Sequence, residues 1–349
     1  MFDSGRRVRI AVDAMGGDHG PEVIIRGVVE ALRSGDGNFE ILLVGDEPTI
    51  WDILARLNPG ALPIFCVHAE EQVEMEEKAP KALRGKPRSS IAVCTSLVGR
   101  QRAEALVSAG NTGAVVAASL LNLGRMPGIQ RPAIAATIPT PQGQCVMLDV
   151  GANADCKPLH LFQFAHMGRI FASLVLGTAK PRVGLLNIGE EPGKGSALAQ
   201  AAHQLLAEDR DRLNFVGNVE GKDIFAGRAD VVVCDGFTGN VILKLAGSIA
   251  AVGSRMAAHA VQRSPWVRLG ALLMKPALAD LKGRFNYEEY GGALLLGTRG
   301  TSVICHGRSS PRAIRNAIRV ALRATRGDLE GTIARVLVEQ DSVTLPMAR

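Results

Sequence analysis

Small polar residues stand beside glycine wherever a short β-branched run of this chain stops. Asp13 closes one run and leads into Met15, Gly16, Gly17, Asp18, His19, Gly20 and Pro21. A second run closes in Ser108, Ala109, Gly110, Asn111, Thr112 and Gly113. Three more lead into Asp149, Gly151, Asn153 and Asp155; into Asn187, Gly189, Glu190 and Glu191; and into Asp235, Gly236, Phe237, Thr238, Gly239 and Asn240. Glycine beside Asn or Thr at a helix start leaves backbone N–H groups bare, and the helix dipole adds positive potential there. Such loops hold anions of phosphate size. Gly20 then Pro21 reads as an N-cap and first helical residue, and residues 110–113 and 238–240 are equally suited to open helices.

Lys194 lies between Gly193 and Gly195 just past one of these ends, where its ammonium could reach a phosphate oxygen or a developing oxyanion. His19 is a candidate donor or base in the first loop. The carboxylates of Asp13, Asp18, Asp149, Asp155 and Asp235 repel phosphate and admit two readings. They bind loop N–H groups and orient Lys194 or His19, or they form a Mg²⁺ site; spacing does not separate these. The pattern G-x-G-x-x-G does not occur, and residues 189–195 fall one short of a Walker A loop, with Gly195 where Ser or Thr would meet Mg²⁺. A G-x-S-x-G elbow is also missing, so serine hydrolysis is not indicated. The 6 cysteines show no C-x-x-C pair and read as reduced, buried thiols.

The elements that must carry these loops alternate in type. Strands are expected at 7–13, 39–45, 63–68, 104–110, 131–138, 145–150, 182–189 and 229–235, with helices near 21–33, 89–101, 112–121, 158–176 and 196–207. This is the signature of an α/β protein with a parallel sheet and helices on both faces, whose strand tips share one ligand-binding edge. No internal repeat or linker divides residues 1–349, so a single α/β domain is expected. From about 240 to 284 the pattern becomes long helix, break, second helix. Within 255–284 the bases Arg255, Arg263, Arg268, Lys275, Lys282 and Arg284 face one acid, Asp280. Val267, Ala271, Met274, Leu278 and Leu281 form one stripe, with Trp266 at its start. The stretch reads as an amphipathic hairpin: stems for a dimer contact, and a tip bearing Trp266, Leu269, Leu273, Met274 and Lys275 for an anionic membrane surface. A final helix sets Arg312, Arg315, Arg319, Arg323 and Arg326 opposite Ile314, Ile318 and Leu322, either a solvated basic face or one for an acidic partner.

With 349 residues, 47% apolar and 21% charged, the chain is too apolar for global disorder. No run of 18 apolar residues occurs and the N-terminal residues lack a secretory pattern, so a cytoplasmic protein is expected. The net charge of +6 suits an anionic partner, but aromatics at 4% are too few for nucleic-acid stacking platforms.

In fixed order, these motifs resemble the bacterial PlsX family, the phosphate acyltransferases of phospholipid synthesis, over residues 8–327. The resemblance implies a Rossmann-like three-layer α/β/α fold, similar to isocitrate and isopropylmalate dehydrogenases and to phosphotransacetylases. It implies transfer of a fatty acyl group from acyl carrier protein to inorganic phosphate, giving acyl phosphate for a membrane acyltransferase. A homodimer, peripheral membrane association, and no metal or organic cofactor are also implied. Lys194 and Asn240 correspond to the family's Lys after Asn-Ile-Gly and Asn of Asp-Gly-Phe-Thr-Gly-Asn. With these as catalytic groups beside His19, the expected phosphate and substrate cradle is Asp13, Gly16, Gly17, Asp18, Asn111, Thr112, Gly113, Asp149, Asn153, Asn187, Asp235, Gly236, Thr238 and Gly239. Rival readings are a coenzyme A phosphotransacetylase, a Mg²⁺-dependent dehydrogenase on the same fold, and a membrane-recruited scaffold.

Overall fold

The computed structural model describes residues 7–35, 38–262, 264–276 and 291–341. Arg263, Leu278, Asp280, Leu281, Lys282 and Arg284 of the expected hairpin lie outside the described residues. The first half runs β1 (Val8–Asp13), α1 (Pro21–Arg33), β2 (Phe39–Gly45), α2 (Glu47–Leu57), β3 (Ile64–His68), α3 (Ala79–Gly85), α4 (Ser90–Gly99), β4 (Ala105–Ser108) and α5 (Thr112–Asn122). It continues through β5 (Ala133–Thr140), β6 (Gly143–Leu148), α6 (Pro158–Leu174), β7 (Val183–Leu186), α7 (Ala197–Glu208), α8 (Arg210–Leu213), β8 (Phe215–Val219), α9 (Gly221–Ala226), β9 (Val231–Val233), α10 (Gly236–Gln262) and α11 (Pro265–Leu273). The described chain closes with β10 (Ala293–Leu296), β11 (Thr301–Ile304), α12 (Pro311–Arg326) and α13 (Leu329–Asp341).

The strands form one 11-stranded sheet in the order β3-β2-β1-β4-β11-β10-β5-β6-β9-β7-β8. Alternate residues of its strands point to opposite faces, so Ile10 and Val12 enter one core while Ala11 enters the other. The first core lies under α1, α6, α7 and α12; the second lies under α4, α5 and the start of α10, completing the three layers. Runs such as Ala105–Ser108 are buried throughout because both faces of the sheet are covered.

The expectation of an all-parallel sheet with one functional edge fails. The chain turns back between Thr140, paired with Gly143, so β5 and β6 are antiparallel, and β10 is antiparallel to both β11 and β5. The strands β6, β9, β7 and β8 therefore run opposite in sense to β1, β2, β3, β4 and β11. A parallel pair needs a crossover of about a dozen residues or more. The spacing between the runs at 131–138 and 145–150 is too short for one, and that signal was in the sequence. Three strands were not expected: β8, interrupted by Gly217 and Asn218, and the short β10 and β11, the first of which is written in helix-favouring Ala and Leu.

Candidate functional site

Register brings the motif ends together in two groups. On the β6-β9-β7 side, Leu148 pairs with Val233 and Leu185 also pairs with Val233. Asp149, Asp235 and Asn187 consequently leave neighbouring strand ends together. Asp149 is fully buried; its Oδ1 accepts from the N–H groups of Ile134 (2.9 Å), Gly151 (3.1 Å) and Ala152 (3.0 Å). Its Oδ2 accepts from the backbone N–H of Asn153 (2.6 Å) and from Asn153 Nδ2 (2.9 Å), which also donates to the Pro132 carbonyl. Asp235 accepts from Thr238 through both the backbone N–H (2.9 Å) and Oγ1 (2.8 Å), capping the first turn of α10. A Cβ on Gly236 or Gly239 would strike the carbonyl oxygens of Asn153 and Asp149, so only glycine lets this turn seat on the Asp149 loop. Asn240, half-buried one turn further on, faces Gly151.

The Lys194 loop is pinned at several points. Asn187 Nδ2 donates to the Lys194 carbonyl (3.0 Å), Gln200 Nε2 donates to the carbonyls of Gly193 and Gly195, and Asn218 Nδ2 donates to that of Glu191. Gly195 has φ +90° and abuts the Asn187 amide, a position closed to a side chain on both counts. Ser196 caps α7 by accepting from the Ala199 N–H (3.2 Å). Lys194 itself is exposed, and among the described residues its ammonium makes no ion pair.

Between these pieces lies a cavity of about 370 Å³ lined by Ala154, Asp155, Cys156, Leu198, Asp235, Phe237 and Thr238. Leu198 belongs to the first turn of α7, which packs on one face of the sheet; Phe237 and Thr238 belong to the first turn of α10, which packs on the other. Two helix N-termini from opposite layers thus border one cavity at the strand ends. Among the described residues, no hydrogen bond is made by the N–H of Leu198 or Phe237. Asp149 and Asp235 have taken up the neighbouring amides, so the supply of bare N–H groups is smaller than the glycine count implied. This arrangement can hold an anion against two helix ends with an ammonium in the adjoining loop. Cys156 offers no nucleophile, since burial pushes its thiol up to about 11.

The second group sits on the β1-β4 side. Asp13 is buried and accepts from Ser108 Oγ (2.6 Å) and the Met15 N–H (3.2 Å). Burial raises its pKa above the usual carboxylate range, against hydrogen bonds from Ser108, Ser90, Met15 and Gly16. Asn111 caps α5 through the Ala114 N–H (3.0 Å), and its Nδ2 donates to the carbonyls of Met75 and Glu77. Gly16 packs against the Gly110 backbone, and Gly17, at φ +97°, against the carbonyl of Gly307, which accepts from the Asp18 N–H (2.8 Å). His19, Thr112 and Gly113 are exposed. Among the described residues, no hydrogen bond joins this group to the Lys194 group. Among the described residues no three His, Cys, Asp or Glu side chains gather as a metal-ligating set, and Asp149, Asp235 and Asp13 accept hydrogen bonds from loop donors. Leu198 and Cys156 line the cavity and Gln200 holds the Lys194 loop, without a motif in the sequence to mark them. Leu198 was reachable from the expected helix at 196–207, whose first turn had to follow Lys194.

A family model described as fatty acid synthesis protein matches residues 8–330. A phosphate acyltransferase of Heliobacterium modesticaldum is 52% identical over 315 residues, covering 90% of this chain and 93% of that one. One from Moorella thermoacetica is 48% identical over 340 residues, covering 95% and 98%. Among solved structures, a phosphotransacetylase from Streptococcus pyogenes superposes with TM-score 0.63 at 18% identity, over 92% of this chain and 95% of that one. The EutD phosphotransacetylase of Staphylococcus aureus gives 0.59 at 17%, with the same coverage. At such identities the likeness is one of fold. Matched along nearly its whole length, the chain belongs to the fatty acid synthesis protein family, the PlsX phosphate acyltransferases whose motifs close its strands.

Proposed function

We propose that the protein transfers a fatty acyl group from the thioester of acyl carrier protein to inorganic phosphate, forming acyl phosphate for phospholipid synthesis. The observation that carries this is the cavity bordered by the first turns of α7 and α10, with the pinned Lys194 loop beside it. A phosphate oxygen attacks the thioester carbonyl, the new C–O bond forms, and the C–S bond breaks. The proton left on phosphate ends on the departing carrier sulfur. The nucleophile is an anion and the carbonyl oxygen gains negative charge, so both need donors held in place beforehand. Lys194 and Asn240 supply these, aided by the N–H groups of Leu198 and Phe237, while Asp149, Asn153, Asn187, Asp235, Gly236, Thr238 and Gly239 shape the loops. Asp13, Gly16, Gly17, Asp18, His19, Asn111, Thr112 and Gly113 take a supporting part in this reading, because Asp13, Asp18 and Asn111 are occupied in tying the first loops together.

Purified protein given an acyl carrier thioester and phosphate, without added metal, is expected to form acyl phosphate. No acyl phosphate, or product only from short acyl groups on coenzyme A, would overturn the assignment.

The same reading extends to the surroundings of the enzyme. Among the described residues no helix is long and apolar enough to cross a membrane. On α11 and just beyond it, Trp266, Leu269, Leu272, Leu273 and Met274 are exposed beside Arg268 and Lys275. That surface favours peripheral binding to anionic lipid, from which a membrane acyltransferase takes the product. Val252 and Met256, further back on α10, are exposed apolar residues suited to a homodimer contact. We read residues 1–349 as one catalytic domain of a cytoplasmic enzyme carrying this helical projection. Vesicles with and without anionic lipid, in a sedimentation assay, test the membrane part; equal binding to both would remove the electrostatic role.

A further inference from the structure

Behind the Lys194 loop, two buried polar side chains are paired with each other. His203, on α7, and Asn218, on β8, are 7% and 1% exposed. Asn218 reaches this place through a break in strand alternation. Val183 pairs with Phe215 and Gly184 with Gly217, so Val216 is one residue extra, and Gly217 carries the kink at φ +98°. Phe215 consequently enters the first core and Val219 the second, although residues four apart share a face in an unbroken strand. The shift turns Asn218 toward the layer of α7. There its Oδ1 lies 2.9 Å from His203 Nδ1, while its Nδ2 donates to the Glu191 carbonyl (2.8 Å). A carbonyl oxygen only accepts, so the amide must turn Nδ2 to Glu191; its Oδ1 then accepts from His203, whose Nδ1 carries the proton. The His203 and Phe215 rings stand edge-on, with centroids 5.3 Å apart.

We propose that His203 and Asn218 are positioning residues for the acyl transfer, holding the turn that presents Lys194. The proposal rests on the acyl-transfer reading above. The Glu191 carbonyl that Asn218 grips also accepts from the Lys194 N–H (3.1 Å), which closes the turn from Glu191 to Lys194. A row of hydrogen bonds thus runs from the imidazole, through the amide, to the backbone of the lysine. Its far end is anchored on α7, the helix whose first turn borders the cavity at Leu198. One helix therefore sets both the N–H groups offered to an anion and the place of the ammonium beside them. A buried amide is costly unless both its ends are paired, so removing the imidazole donor leaves the Asn218 oxygen without a partner and loosens its hold on Glu191. Misplacing a catalytic group by about 1 Å costs on the order of a hundredfold in rate.

The test is His203→Phe, which keeps a ring against Phe215 and removes the donor, beside His203→Asn, which returns an N–H near the same place. Each is made alone and with Lys194→Ala, and acyl phosphate formation is assayed at varied phosphate. His203→Phe is expected to lose about ten- to a hundredfold in turnover, with kcat and the KM for phosphate moving in the same sense as in Lys194→Ala. His203→Asn should come within about fivefold of the wild type. In the Lys194→Ala background His203→Phe should cost less than about twofold more, because a residue acting only through Lys194 has nothing left to position. The Lys194 amide should also exchange its hydrogen several-fold faster in His203→Phe, a change independent of the reaction. Full activity in His203→Phe, an unchanged exchange rate, or an equally large loss in the Lys194→Ala background would each overturn the role. Asn218→Asp keeps the shape and the acceptor for His203 but turns an oxygen to the Glu191 carbonyl. It should give the same pattern, and it decides the question where His203→Phe does not fold; loss of folding in both would assign the pair to stability alone and overturn the role. A wild type that forms no acyl phosphate would overturn the acyl-transfer reading, and the role with it, even where the exchange result holds.

Discussion

Truncating Lys194 to Ala separates folding from chemistry in this protein. The backbone N–H of Lys194 donates to the Glu191 carbonyl (3.1 Å) and its carbonyl accepts from Asn187 (3.0 Å), and both bonds survive the substitution. The side chain is exposed, so the change in stability should stay within about 0.5 kcal/mol. Catalysis should respond very differently. One prearranged donor to a developing oxyanion contributes ~3–4 kcal/mol, so turnover should fall by roughly 10²- to 10³-fold. The split between constants tells which charge Lys194 meets. A donor acting on the oxyanion lowers kcat, whereas one that grips phosphate before reaction raises the KM for phosphate. Lys194→Arg keeps the positive charge on the same pinned backbone and should recover part of the loss. The assay is acyl phosphate formation at varied phosphate, beside a denaturant midpoint for each variant. A folded Lys194→Ala enzyme working within threefold of the wild type would refute the role.

Four further outcomes follow from the same geometry. Asp149→Ala removes a buried acceptor of several loop N–H groups and should cost about 4 kcal/mol or more, read as a denaturant midpoint; an unmoved midpoint would contradict its place in the loop. Gly195→Ala forces a side chain onto φ +90° and against Asn187, so a loss of about 1–2 kcal/mol and about tenfold in activity is expected. Gly193→Ala, with open space around it, should match the wild type, and equal effects at the two glycines would refute this. Burial raises the Glu330 carboxyl from 4.5 to about 7, so the folded state holds that proton more tightly than the unfolded chain. Its contribution is complete below pH 4.5 and is lost as pH rises to 7, about 3 kcal/mol in all; Glu330→Gln should flatten that slope, and parallel pH profiles for the two proteins would reject it. Binding of acyl carrier protein, if drawn by the exposed bases of this chain, should weaken several-fold between low and high salt, and salt-independent titrations would remove that attraction.

Much of this was legible in the amino-acid order because its causes are local. Gly20 before Pro21, Asn111 at the start of α5 and Ser196 at the start of α7 announce their helices through groups one turn apart. Asp and Gly at the strand ends leave two readings open, loop tying or a cation site, and the loop N–H groups that Asp149 and Asp235 accept from belong to the first. Strand order has no such local cause, and strand sense has one only where the connection is as short as the turn after Thr140. The turn between Thr140 and Gly143 reverses the second half of the sheet, and β10 and β11 arrive from far along the chain to stand between β4 and β5. Those pairings depend on which distant surfaces bury one another. They divide the candidate residues into a Lys194 group and an Asp13 group, and they bring Leu198 and Phe237, from helices on opposite faces of the sheet, to one cavity. The residue types able to bind phosphate were readable along the chain; which of them meet was decided only by the packing of helices against a folded sheet.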